Sequence, residues 1–530
     1  MRVLLLTEGT YPFRWGGLST WCDVLIRQLP EIQFHLLAMC ERPFSKLQFE
    51  LPPNLVEFRP VPLWGVRNAS EAVGGFGLVE ARRRARRTSE ASIRKAFLPA
   101  YEVFLEQLFG VERNDDELAG ALHQMYRFFC AHDFDATFRS QWTWEALGRG
   151  ATERFPALAA RSGYRDVRVG LADVTAALQW MYHWLFALSR PLPAADVAHA
   201  TMAGRCSLIA VVAKLDQGCG FLLSEHGIYL RESYLSEHGS RASVVGKLVK
   251  LCFARRMTEL AYSLADAVAP CCDYNRRWEQ QIGAKRERIK TAYYGIDAED
   301  YRAVDQPPNA APVVVWAGRI DPLKDVETLL RGAAIVLRTR PDVRFLLFGS
   351  APPGNDLYLE RCLALHAQLG LEKAVSFEGF TPDTVAAFSK ADVVALSSVS
   401  EGFPFATLEA MLCGKPIVAT AVGGLPEQVP PDCGRTVRPR DPAALAAAIL
   451  ELLEDGDTRE ALGRAARDRA ASLFTLDRFR VTHRSMYGRA LARRPSAGVN
   501  GTFLESIAVG AQLITRSEVP PVPIRVAADA

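Results

Sequence analysis

The chain has 530 residues, 49% apolar and 23% charged, with 63 Lys+Arg against 60 Asp+Glu. That composition belongs to folded globular domains and excludes disordered, collagen-like and mucin-like chains. A formal charge of +3 is too even for a protein that grips nucleic acid electrostatically, so no nucleic-acid partner is expected.

In chain order, residues 3–6 read as a buried strand, Gly16-Gly17 as a loop, 18–29 as a helix and 34–39 as a second strand. Residues 65–193 interrupt this rhythm with a segment rich in Arg, Ala, Leu and aromatics. There Phe97, Tyr101, Phe104, Leu105 and Leu108 fall at helical spacing, as do Trp180, Trp184 and Leu185, which predicts a helical insertion. The rhythm resumes at 196–200, 208–215 and 221–224, then a long helix near 248–264 and a run at 266–269. A second regular stretch begins with an apolar run at 313–316, after which Asp325 is placed to cap a helix carrying Val326, Leu329, Leu330, Ala333, Ala334 and Leu337. Strands follow at 345–348, 374–377, 393–396 and 416–420, with helices at 357–369, after Thr381-Pro382, and at 405–413. The last of these helices has Pro404 at its start and Gly414 just past its end, the usual asymmetry.

Alternating strands and helices mean β-α units on parallel sheets covered on both faces. The expected fold class is therefore α/β, with two Rossmann-like domains facing each other across a cleft. The first spans 1–300 and holds the insertion (about 65–193); the second spans 301–480, with a junction near 297–311. A helix at 481–494 is expected to pack back on the first domain. Residues 495–530, with Pro520-Pro521-Val522-Pro523, read as a flexible tail.

Eleven cysteines without a Cys-x-x-Cys pair predict reduced thiols and a cytoplasmic protein rather than a disulfide framework or a zinc ribbon. The longest apolar runs, 207–213 and 507–514, fall short of the roughly 20 residues of a membrane span. A peripheral position at the inner face of the membrane stays open. It would use Arg82-Arg83-Arg84 and Arg86-Arg87, whose plain reading is a solvated helix face.

In parallel α/β sheets ligands bind beyond the carboxyl ends of the strands, which singles out four loops. Gly16-Gly17 precedes a helix, where backbone N–H groups can approach an anion. Gly318-Arg319 to Lys324 brackets a turn with two cations able to converge on a diphosphate without a metal. Ser400-Glu401-Gly402-Phe403-Pro404 opens a helix that carries Glu409 about one turn in. Ser224-Glu225-His226-Gly227 places a histidine at a strand end, where it can bond a hydroxyl or carbonyl. Taken singly, these are also a tight turn, solvated charges, a surface carboxylate pair and a structural histidine. Taken together, they suit a nucleoside diphosphate attached to something with hydroxyls. There is no Gly-x-Gly-x-x-Gly and no Gly-x4-Gly-Lys-Ser/Thr loop, which argues against nicotinamide, flavin and P-loop chemistry.

Glu401-x7-Glu409, preceded by Gly318-Arg319-x4-Lys324 and followed by Gly423-Gly424-Leu425-Pro426-Glu427, resembles the signature of family 4 glycosyltransferases, retaining enzymes of the GT-B fold. Two N-terminal strings narrow the likeness: Glu8-Gly9-Thr10-Tyr11-Pro12 with Gly16-Gly17, Ser19 and Trp21, and Glu225-His226-Gly227-Ile228-Tyr229 with Arg231-Glu232. They are similar to the PelF group, cytosolic glycosyltransferases of exopolysaccharide biosynthesis. The resemblance implies a UDP-glucose donor, a glycan acceptor, no metal or other cofactor, and partnership with a membrane polysaccharide synthase complex. It implies that Arg319, Lys324 and the Gly16-Gly17 backbone hold the diphosphate, Glu409 the ribose, and Glu401 and His226 the transferred sugar. Gly402, Phe403 and Pro404 would supply backbone around sugar and phosphate. One departure stands out: Tyr294 occupies the place of an asparagine common in the interdomain connection. Retention without an obvious second carboxylate implies front-face substitution, with electrostatic stabilisation of the leaving diphosphate. The rival expectations are a non-hydrolysing UDP-sugar epimerase, and a subunit that binds nucleotide sugar without turning it over.

Overall fold

Along the first strand Val3 and Leu5 face one side, Leu4 and Leu6 the other, and all four are fully buried. That is the demand of a parallel strand covered on both faces. The computed structural model describes residues 1–41, 46–64, 77–164, 167–238, 240–301 and 311–493. In it β1 (Arg2–Glu8), β2 (Gln33–Cys40), β3 (Leu55–Pro62), β4 (Val197–Ala200), β5 (Gly220–Glu225) and β6 (Ala267–Pro270) form a parallel sheet ordered β3-β2-β1-β4-β5-β6. The second sheet comprises β7 (Val313–Ala317), β8 (Arg344–Phe348), β9 (Val375–Gly379), β10 (Val393–Leu396), β11 (Ile417–Thr420) and β12 (Gly434–Val437), ordered β12-β11-β10-β7-β8-β9. Numbered from its own first strand, each sheet runs 3-2-1-4-5-6, the doubly wound order. The switch points fall between β1 and β4 and between β7 and β10.

Three apolar cores follow from the strand period of two. Leu4, Leu6, Leu37 and Leu223 pack under the insertion, and Val314, Trp316, Phe345 and Val418 pack on the outer face of the second sheet. Between them one core takes Val3, Leu5 and Leu36 from the first sheet together with Val315, Val394 and Ile417 from the second. The helix Leu476–Ala492 helps to close that middle core. Its Tyr487 hydroxyl lies 2.8 Å from His199 Nδ1 under β4. Gly220 makes room for it, since a Cβ there would sit 2.5 Å from the Ala490 carbonyl oxygen.

The insertion is helical across its described residues, from Leu78 to Ser189. Phe97, Tyr101, Phe104, Leu105 and Leu108 are buried, and Trp184 meets Phe253 of the long helix Val244–Leu264 at 4.6 Å. In the basic segment Arg84 turns inward, donating to the carbonyls of Phe129 (2.9 Å) and Ser189 (3.3 Å), while Arg82, Arg83, Arg86 and Arg87 stay exposed. Among the described residues no helix is long and apolar enough to cross a membrane. Residues 65–76, most of the 297–311 junction (302–310) and the 495–530 tail lie outside the described residues.

Candidate active site

The loop after β7 is folded by a carboxylate. Asp321 is nearly buried, accepts hydrogen bonds from the amides of Leu323 (3.0 Å) and Lys324 (3.2 Å), and holds the Arg319 guanidinium at 3.0 Å. This Asx-type turn throws the Lys324 side chain toward β10, where its ammonium pairs with Glu401 Oε1 at 2.5 Å. The pair is sheltered, with side chains 18% and 8% exposed, and the Ser398 hydroxyl donates to the same carboxylate oxygen at 2.6 Å. An ammonium has three protons, so Lys324 keeps donors for a further anion. The Arg319 side chain is 58% exposed and open to solvent.

Pro404 caps the helix Phe405–Leu412, which has no side-chain cap at its start. Glu409 lies on that helix, and its carboxylate accepts from the Tyr301 hydroxyl at 3.2 Å. Burial pushes the Glu409 carboxyl up to about 7, with the Tyr301 and Thr384 hydroxyls pulling the other way. The helix Gly17–Gln28 likewise starts without a side-chain cap, at Gly16. A Cβ on Gly17 would come within 3.8 Å of the Phe405 ring, so two uncapped helix N-termini, one from each sheet, meet at the cleft. Both present partial positive charge to the same space.

His226 follows β5 and meets the Glu401 loop through its backbone. A Cβ on Gly402 would stand 1.7 Å from the His226 carbonyl oxygen, so the approach admits only glycine. The His226 ring packs against Trp21 at 4.3 Å, its Nδ1 is 2.7 Å from the Tyr294 hydroxyl, and its buried Nε2 has no hydrogen-bond partner among the described residues. Burial, with His483 nearby, pushes the His226 pKa down to about 3, so the ring is neutral at physiological pH.

The structure thus brings Lys324, Glu401, Gly402 and His226 together, with Gly17, Phe403 and Pro404 beside them. It places Arg319 on the cleft rim and Glu409 behind the helix N-terminus, against Tyr301. Sequence reasoning gave no role to Asp321 and Ser398, which shape the Lys324–Glu401 pair. It also passed over three contacts that join the halves. The Arg231 guanidinium donates to Ser400 Oγ at 2.6 Å. Glu427 accepts from the amides of Asp273 (2.9 Å) and Tyr274 (2.7 Å), capping the helix Asp273–Ile282 from the opposite half. The Tyr294 ring stacks on Phe405 at 4.7 Å. Arg231 and Glu427 stand inside the family-like strings, which was the available signal. Among the described residues no three of His, Cys, Asp and Glu gather as a metal site would require.

Comparison with known proteins agrees with this architecture. Residues 1–287, more than half of the chain, match the family model described as Domain of unknown function (DUF3492), and residues 297–469 match Glycosyl transferases group 1. A D-inositol 3-phosphate glycosyltransferase of Corynebacterium urealyticum is 35% identical over 210 residues, 36% of this chain and 49% of that protein. The chain therefore spans about half the length of the curated relatives it matches. Among solved structures, Anabaena HepE in complex with UDP and glucose is 18% identical, with a TM-score of 0.57 over 92% of this chain and 99% of that one. Sucrose-phosphate synthase from Thermosynechococcus elongatus is also 18% identical, with a TM-score of 0.59 over 93% and 100%. These likenesses establish the GT-B fold of two Rossmann-like domains. The chain belongs to the DUF3492 family, whose model spans residues 1–287, and its residues 297–469 match the model described as Glycosyl transferases group 1.

Proposed function

We propose that the protein is a retaining glycosyltransferase that moves a hexose, glucose in our reading, from a UDP-sugar to a glycan acceptor in exopolysaccharide biosynthesis. The observation that carries this is the sheltered Lys324–Glu401 pair at the carboxyl end of β10, flanked by two uncapped helix N-termini. A diphosphate seated there meets the Lys324 ammonium, the Arg319 guanidinium and the amides near Gly17 and Phe405, and this reading needs no metal ion. In the reaction the bond from the anomeric carbon to the diphosphate oxygen breaks. The acceptor oxygen bonds to the same face of that carbon, and its proton passes to the leaving phosphate. Lys324 and Arg319 stabilise the charge that develops, and such electrostatic stabilisation is usually what lowers a barrier of this kind most. Glu401 borders the transferred sugar and Glu409 the ribose hydroxyls. HepE of Anabaena, similar in fold, has been crystallised with UDP-glucose, which supports the choice of nucleotide.

Isothermal titration with UDP, GDP and ADP tests the donor. UDP is expected to bind most tightly, and Lys324→Ala to weaken it. Preference for GDP or ADP would contradict the UDP reading, and tight UDP binding without turnover of UDP-glucose would mark a binding subunit instead.

A further inference from the structure

The helix Leu78–Arg87 opens the described part of the insertion and carries five arginines with one acidic residue, Glu80. It is pinned on one side only. Arg84 turns inward to the carbonyls of Phe129 (2.9 Å) and Ser189 (3.3 Å) and donates to Glu80 at 3.2 Å. At the helix end the Thr88 hydroxyl donates to the Arg84 carbonyl at 2.8 Å and accepts from the Asp133 amide at 2.7 Å. These bonds fix which face looks outward. At about 3.6 residues per turn, Leu78, Arg82, Arg86, Val79, Arg83 and Arg87 follow one another around about half of the circumference, clear of Glu80 and Arg84. All six are exposed, Leu78 at 80% and Val79 at 74%. Arg83 pairs with Glu80 at 2.7 Å, and among the described residues no carboxylate pairs with Arg82, Arg86 or Arg87.

A face of this kind selects its partner chemically. Guanidinium groups bind phosphate in a fork, and four of them along one short helix call for a dense array of anions rather than a single one. The two aliphatic side chains set among them gain nothing from the phosphates of a nucleic acid, but they gain from hydrocarbon lying just beneath a layer of headgroups. Arginine stems can lie along that apolar layer while the guanidinium groups stay with the headgroups. We propose that this helix is a membrane-contact site that seats the protein on a bilayer containing anionic phospholipid. Leu78 and Val79 dip beneath the headgroups, and Arg82, Arg83, Arg86 and Arg87 meet the phosphates. Trp64 is exposed and lies on His183 at 3.7 Å, on the same helical stretch that ends at Ser189, and tryptophan favours the headgroup boundary. None of these residues belongs to the cleft, so the site does not rest on the UDP-sugar reading.

Flotation of the full chain with lipid vesicles tests this. Wild-type protein is expected to float at low salt with vesicles of phosphatidylcholine and phosphatidylglycerol, and not with phosphatidylcholine alone. Added salt should release it, because the reach of the lipid charge shrinks from about 10 Å at 0.1 M to about 3 Å at 1 M. The variant Arg82→Gln/Arg86→Gln/Arg87→Gln should bind the anionic vesicles about 10²-fold more weakly, at about fivefold for each arginine. Leu78→Ser/Val79→Ser should bind several-fold more weakly with its salt dependence unchanged. A control that loses the same charge from the second half, Arg331→Gln/Arg338→Gln/Arg464→Gln, should bind as wild type does. Every replaced side chain is exposed, so all three variants should keep the wild-type circular dichroism spectrum. No flotation at low salt, equal flotation with both kinds of vesicle, wild-type binding by the first variant, or an equal loss in the control would overturn the proposal. So would binding to RNA or to an acidic polypeptide with none to vesicles, which would give this face a different partner.

Discussion

Lys324 and Glu401 hold each other at 2.5 Å in a site that is mostly out of water. Removing one partner of such a pair strands the other, so Lys324→Ala acts on folding as well as on chemistry. The two effects separate by measurement. The variant should melt at lower temperature yet remain folded at 25 °C, and its turnover of UDP-glucose should fall about 10²-fold or more, the scale of one lost oxyanion donor. Near-normal turnover would remove Lys324 from the reaction. A second buried carboxyl, Glu225, makes a prediction about stability and pH. Enclosure raises it to about 7, against hydrogen bonds from Tyr262 and the Ala203 amide that favour the charged form. Between its unfolded value and about 7 the folded chain holds this proton and the unfolded chain does not, so stability is full at low pH and declines as pH rises through that window. The loss above pH 7 amounts to about 3 kcal/mol. Thermal melts should show Glu225→Gln losing less stability than wild type between pH 5 and 8, and parallel profiles would contradict the assignment.

At the scale of elements, the contact between the halves depends on backbone approach. Gly402 lies against the His226 carbonyl, where a methyl group would overlap it at 1.7 Å. Gly402→Ala should therefore push the two loops apart, lower the melting temperature and lower kcat/KM by an order of magnitude or more. Wild-type kinetics in this variant would show that the approach is not needed. Glu427 caps a helix of the other half through two amides. Glu427→Ala should cost about 1–2 kcal/mol in denaturant unfolding, the usual worth of a cap with its dipole contribution. Such local devices differ in how openly the sequence declares them. Asp325 as a helix cap, with its carboxylate 3.2 Å from the Thr328 amide, and Gly414 past a helix end were both legible, because capping chemistry is local. The strand β3 was not. It alternates only weakly, carries Pro60 and Pro62, and lies at a sheet edge, where proline is tolerated. Short β12, at the edge of the other sheet, was missed for the same lack of period.

Over the whole molecule, the two sheets share one strand order and turn their carboxyl ends to a common cleft. That much was legible, because buried parallel strands read as short apolar runs, and the ligand loops must follow them. The aromatic period at Phe97, Tyr101 and Phe104 likewise announced the helical cover over the first sheet. What the sequence hid were contacts set by how the halves meet: Arg231 on Ser400, Glu427 on the Asp273 helix, Tyr294 between His226 and Phe405. Each joins residues more than sixty positions apart or from different halves, and no local period encodes such a pairing. Cleavage of a UDP-sugar with retention in this cleft can be watched by time-resolved proton NMR of UDP-glucose incubated with the wild-type protein, water standing in for the acceptor. UDP and α-glucose are expected as the first products, with their appearance slowed about 10²-fold or more in Lys324→Ala. β-Glucose appearing first, or intact UDP-glucose alongside folded enzyme, would contradict the retaining reaction.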